Sequence, residues 1–147
     1  MAQGPVPSYA EFLGGVTKPE CFTGPNPSSP TIPQAIVESV LEDCTDEVVS
    51  AFGDRATPPI LTWDGACKRA VICLSARVLM GHRGYKKDPG GDSEFVALAK
   101  RADEWLELVA AKRRHPTFTD STVGLRPDTP RISSSLTADA WARPRYR

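Results

Sequence analysis

The stretch "WDGACKRAVICLSARVLMGH", Trp63 to His82, decides how the rest of the chain is arranged. Ala66, Ala70, Cys73, Ala76 and Met80 recur at helical spacing and make a stripe of mostly small residues. Cys67, Val71, Leu74 and Val78 make a bulkier stripe beside it. An apolar arc this broad predicts the most buried helix of a domain, with neighbours on more than one side. The small residues let another helix approach closely.

The segments on either side supply those neighbours. "PQAIVESVLEDCTDEVVSAF" begins at Pro33, which suits the first helical position, and is followed by Gly53, a natural left-handed closing residue. Val37, Leu41, Cys44, Val48 and Phe52 form its apolar stripe, with Ile36 and Val40 beside it and Glu38, Glu42, Asp43, Asp46 and Glu47 mostly off it. "GDRATPPILTW" then connects: two successive prolines force an extended crossing, and Thr62 is the expected N-cap of the central helix. A third helix is predicted from Asp92 or Ser93 to about Arg114, with Phe95, Leu98, Ala102, Leu106 and Val109 as its stripe. Glu94 at its start and Lys112, Arg113 and Arg114 at its end complement the helix dipole, and Pro116 blocks continuation.

Of the fourteen prolines, seven lie between Pro5 and Pro33 and four between Pro116 and Pro144. The helices are therefore confined to the proline-poor middle, and both ends are expected to be extended arms. This gives an all-α bundle of three long helices plus one short N-terminal helix, divided into a proline-rich arm (1–32), a helical domain (33–115) and an extended tail (116–147). The short helix is signalled by Ser8 and Glu11, spaced as a capping box. From Gly14-Gly15 to Pro30, loop or extended structure is expected. In the tail, short strands are expected around Phe118 and Ile132, and Thr137 can cap a brief turn. Trp141, Arg143, Arg145, Tyr146 and Arg147 are the residue types that dominate interface hot spots, so the tail end is a candidate for docking on a partner.

The 147 residues carry no net charge, which weakens a simple nucleic-acid-binding reading. The charge is nevertheless blocked: −5 over residues 33–61, +4 over 62–91, −3 over 92–111 and +5 over 112–147. Alternating blocks suit contacts between copies or with a partner; ordinary solvated helix faces explain them equally well. No run is apolar enough to span a membrane, and "MAQGPVPSYA" has neither the basic nor the apolar region of a signal peptide, so none is expected there. Cys21, Cys44, Cys67 and Cys73 lack zinc-ligand spacing and are expected to be free thiols in a reducing cytosol.

Chemistry has few footholds. "MGHRGYKKDPGGDSEF", Met80 to Phe95, has the composition of a phosphate-binding loop, but its lysines precede its glycines and a helix precedes it, where such loops need a strand. A helix–helix turn explains it. His82 and His115 sit at helix C-termini without a nucleophile nearby in sequence. The carboxylate pairs Glu38/Glu42 and Asp103/Glu104 are expected on solvated faces. No catalytic residue, metal ligand or cofactor site is assigned.

From Pro33 to Pro116 the order of parts resembles the head–tail connector, or adaptor, proteins of tailed phages of the Mu-like and HK97-like kinds. The resemblance lies in "IVESVLEDCTDEVVSAFGDR", the proline-containing crossing "ATPPILTW", the small-residue helix "ACKRAVICLSARVLMGHRG", and "FVALAKRADEWLELVAAKRRHP". Arg83-Gly84 closing the central helix and Trp105-Leu106 before the last apolar turns are usual in that family. The resemblance implies a structural virion protein and no enzyme. It implies a ring, dodecameric in form, beneath the portal protein, extending the channel through which double-stranded DNA passes toward downstream stopper or tail proteins. Assembly would take place in the host cytoplasm. The C-terminal segment would grip the portal; Glu38, Glu42 and Asp46 would meet a neighbouring copy; Arg83, Lys86 and Lys87 would face a neighbour or the channel. Another neck protein (a stopper or tail-completion protein) and a small helical DNA-binding regulator are the alternatives.

Overall fold

A computed structural model describes residues 2–24, 31–84 and 92–122. Five helices, α1 (Tyr9–Gly15), α2 (Glu20–Thr23), α3 (Gln34–Ser50), α4 (Gly65–Arg83) and α5 (Asp92–Ala110), are joined by two strands, β1 (Ile60–Trp63) and β2 (Phe118–Asp120). The α4 helix packs on both α3 and α5, the central position its broad apolar arc predicts. Its bulky stripe is buried at Cys67, Val71 and Leu74, but Val78 is 41% exposed. The α3 stripe of Val37, Leu41, Cys44, Val48 and Phe52 is buried throughout, and so is most of the α5 stripe.

The chain is mainly helical but not all-α. β1 and β2 pair antiparallel, with Ile60 opposite Asp120 and Trp63 opposite Phe118. A bulge between Ile60 and Thr62 turns Leu61 outward, 58% exposed. Thr62 is thus a strand residue, and the N-cap of α4 is Asp64 instead. Asp64 wins because its carboxylate bonds three backbone N–H groups: Ala66 and Cys67 donate to one oxygen and Thr117 to the other. The strand pair is covered by the Phe118 ring, stacked on Phe52 with centroids 4.7 Å apart and planes 7° from parallel.

The N-terminal segment also departs from an extended arm. The Ser8–Glu11 capping box forms as its spacing predicts. Beyond it, α2 is a helix where loop was expected, and it exists to deliver Phe22. That ring meets Phe12 edge-on at 5.1 Å and Phe95 edge-on at 5.6 Å, so α1, α2 and the start of α5 share one aromatic row. Phe12, Phe22 and Ile32 belong to the common core. Gly15 suits the close approach of α1 to α4, since a Cβ there would lie 2.8 Å from Ile72 Cδ1 and push that methyl aside. Upstream, the Gln3 backbone lies along β1 and α3: its carbonyl accepts from Ile60 N–H at 2.7 Å and its N–H donates to Asp46 Oδ1 at 2.6 Å.

The third long helix stops at Ala110 rather than near Arg114. Lys112 takes a left-handed backbone (φ 59°), and the N–H groups of Arg113 and Arg114 turn back to the Leu108 carbonyl. Arg55 also reaches this end, where its guanidinium donates to the Val109 and Arg114 carbonyls. The same group donates to the Phe52 and Ala51 carbonyls at the end of α3. One cation thus closes two helix C-termini, where the dipoles favour positive charge. Gly53, at φ +56°, provides the left-handed turn that swings Arg55 into this place.

Candidate functional site

The residues singled out in the sequence fall into three groups. Trp141, Arg143, Arg145, Tyr146 and Arg147, with Ile132 and Thr137, lie outside the described residues, as do Lys86 and Lys87. Arg83 is inside the fold. Its guanidinium pairs with Asp92 at 2.8 Å, with side-chain exposures of 10% and 6%, and it also donates to the Cys21 carbonyl. An arginine held this way links the end of α4 to the start of α5 and is withdrawn from any neighbour or channel. Asp46 is likewise drawn into the chain by the Gln3 N–H. Glu38 and Glu42 remain exposed, with Gln34 donating to Glu38 at 2.7 Å.

Asp43 and Glu47 join Glu38 and Glu42 on the exposed side of α3. The helix carries five acids and no base, and its outer surface includes Ile36, 38% exposed. Thr45 and Val49, by contrast, are buried, lying where the N-terminal segment crosses at Gly4. The segment therefore narrows the acidic surface to one side of α3.

The second surface was not anticipated. An open groove of about 330 Å³ runs between α4 and α5. Ala66, Ala70, Ala102 and Cys73 give it a small-residue floor, Leu98 and Trp105 add apolar walls, and Arg69, Arg101 and Arg114 stand at its rim. The geometry follows from two matched stripes. Residues 66, 69, 70 and 73 of α4 and 98, 101, 102 and 105 of α5 both step i, i+3, i+4, i+7, so each helix offers one face to the groove. The small stripe of α4 is thereby divided: Ala76 and Met80 are buried in the core, whereas the end near Ala66 opens outward.

Electrostatics distinguish the rim from the other charges. Arg77 is paired with Asp103 across α4 and α5, and Lys68 with Glu11 at 2.6 Å. Arg69, Arg101 and Arg114 make no ion pair among the described residues, and neither do Glu38, Glu42, Asp43 or Glu47. Burial pushes the Cys73 thiol up, and the Arg69 guanidinium beside it pulls the other way. Burial raises the Cys44 and Cys67 thiols too, Cys67 to about 12, so both stay protonated at neutral pH. All four cysteines are free.

Among the described residues no three His, Cys, Asp or Glu side chains converge as metal ligands, and no helix is long and apolar enough to cross a membrane. His82 and His115 are both exposed. No family model, curated protein or solved structure matches the chain.

Proposed function

We propose that this chain is a structural head–tail adaptor of a tailed phage or phage-like particle, forming a ring below the portal and continuing the DNA channel toward the tail. One observation carries the reading. α3, a proline-containing crossing, the small-residue α4 and then α5 form a single core in the order on which the resemblance to adaptor proteins rests. The crossing is fixed at both ends: β1 pairs with β2, and Asp64 bonds Thr117 through backbone and side chain. The aromatic and arginine-rich residues 141–147, outside the described residues, are the portal-gripping segment of this reading. The role is one of binding and assembly. DNA passes without sequence-specific contact, consistent with zero net charge.

Electron micrographs of the protein mixed with portal test this reading. An additional ring on the portal is the expected result. Free monomer throughout overturns it. A DNA-binding regulator would instead shift duplex DNA at moderate salt with sequence preference.

A further inference from the structure

We propose that the α4–α5 groove is an assembly site that receives the acidic outer face of α3 from a second copy of the chain. The inference rests on the ring reading above and adds to it the two surfaces that would meet. It is carried by complementarity of charge, shape and spacing.

The groove has an arginine rim and an apolar floor. Its occupant must therefore present carboxylates to the arginines and an apolar contact to the floor. Polyphosphate chains satisfy the rim but leave the Ala66, Ala70, Ala102, Leu98 and Trp105 surface uncovered. The chain's own residues 123–147 carry five arginines against two aspartates, so the rim repels them. α3 answers both demands. It has no basic residue, its exposed Glu38, Glu42, Asp43 and Glu47 are unpaired among the described residues, and Ile36 provides the apolar contact.

The spacing agrees. The groove is lined over two helical turns on each side, from Ala66 to Cys73 and from Leu98 to Trp105, about 10 Å of helix. Ile36 to Asp43 spans the same two turns on α3, and Ile36, Asp43 and Glu47 lie along one line of its surface. Ile36 then meets the small-residue floor at one end of the groove, and Asp43 and Glu47, on the same line of the helix, reach the arginines beyond it. Ala66, Ala70 and Ala102 matter here because only small side chains allow a third helix that close. Within one chain the acids and the rim arginines do not pair, so the contact joins different copies. The two surfaces are different patches, which makes the contact heterologous, the kind that builds rings or open filaments rather than closed pairs.

The test uses the full chain in sedimentation equilibrium. Wild type is expected to self-associate, and raising salt from about 0.05 M to about 0.5 M weakens association by about tenfold or more. A groove variant, Arg69→Glu with Arg101→Glu, and an α3 variant, Asp43→Arg with Glu47→Arg, are each expected to be monomeric with wild-type helix content. An equimolar mixture of the two forms one-to-one complexes, because each supplies the surface the other has lost. If reversal unfolds the chain, the neutralising Arg101→Gln and Asp43→Asn carry the test, each weakening association several-fold. Four results overturn the proposal: a monomeric wild type at low salt and millimolar concentration, variants that associate as wild type does, a folded mixture that stays monomeric, or duplex DNA binding that the groove variant loses in place of self-association. A monomeric chain that still adds a ring to portal would remove this interface and leave the adaptor reading standing.

Discussion

Asp64 and Arg55 each join parts of the chain that sequence distance keeps apart. Asp64 caps α4 and, through its second oxygen, holds Thr117 at 3.0 Å. Burial alone would raise its pKa, but the N–H groups of Cys67, Thr117 and Ala66 hold the carboxyl below its ordinary value. Its folded pKa is thus depressed, so its stabilising effect is complete above the unfolded value and is lost as pH falls through the folded one. Asp64→Asn offers one acceptor oxygen where two are used. It is expected to lower stability at neutral pH by about 1 kcal/mol and to flatten the acid limb, read by urea denaturation across the acid range. Arg55 donates to four carbonyls at the ends of α3 and α5. Arg55→Ala is expected to cost about 2 kcal/mol in the same measurement, and Arg55→Lys to recover only part, because a point charge cannot reproduce the planar fork. Glu11 contrasts with both. Its hydrogen bond from Lys68 helps hold its pKa at about 2, yet both side chains of the pair are solvent-exposed, where water screens it.

At the scale of elements, β2 forms at Phe118, where a short strand was expected, but its partner β1 was read only as an extended crossing. At four and three residues, the strands are too short for an alternating pattern to announce their pairing. They hold because Phe118 stacks on Phe52 at the end of α3 and Asp120, itself buried, accepts from Thr57 N–H at 2.9 Å. Phe118→Ala is expected to lower stability by about 2–3 kcal/mol by chemical denaturation, through lost burial and stacking, with far-UV helix signal almost unchanged. Equal stability of the variant would mean that the crossing is held by its backbone bonds alone. The helices themselves were legible. The α3 stripe, the Ser8–Glu11 box and the central place of α4 follow from spacing. Their ends were less so: α5 stops early because Arg55, far away in sequence, accepts the role of closing it, and α2 forms because Phe22 has Phe12 and Phe95 to meet.

For the whole molecule, Phe12 and Phe22 from the N-terminal segment and Phe118 from β2 pack on the same core as the three long helices. The proposed docking residues 141–147 lie outside the described residues. Deleting residues 133–147 is expected to abolish portal binding while leaving helix content nearly unchanged, measured by co-sedimentation and circular dichroism; binding that survives removes the tail from the proposed role. The candidate surfaces were half legible. The acids of α3 and both i, i+3, i+4, i+7 stripes stand in the sequence, but nothing local says that the stripes of α4 and α5 converge, that Asp46 is held by Gln3, or that Arg83 turns inward to Asp92. The sequence by itself determined which segments are helical, which faces are apolar and where charge accumulates, because helix periodicity, capping and proline exclusion act over a few residues. Only the tertiary structure decided which charges are paired and which stay available, because pairing depends on side chains brought together across tens of residues by the burial of a common core.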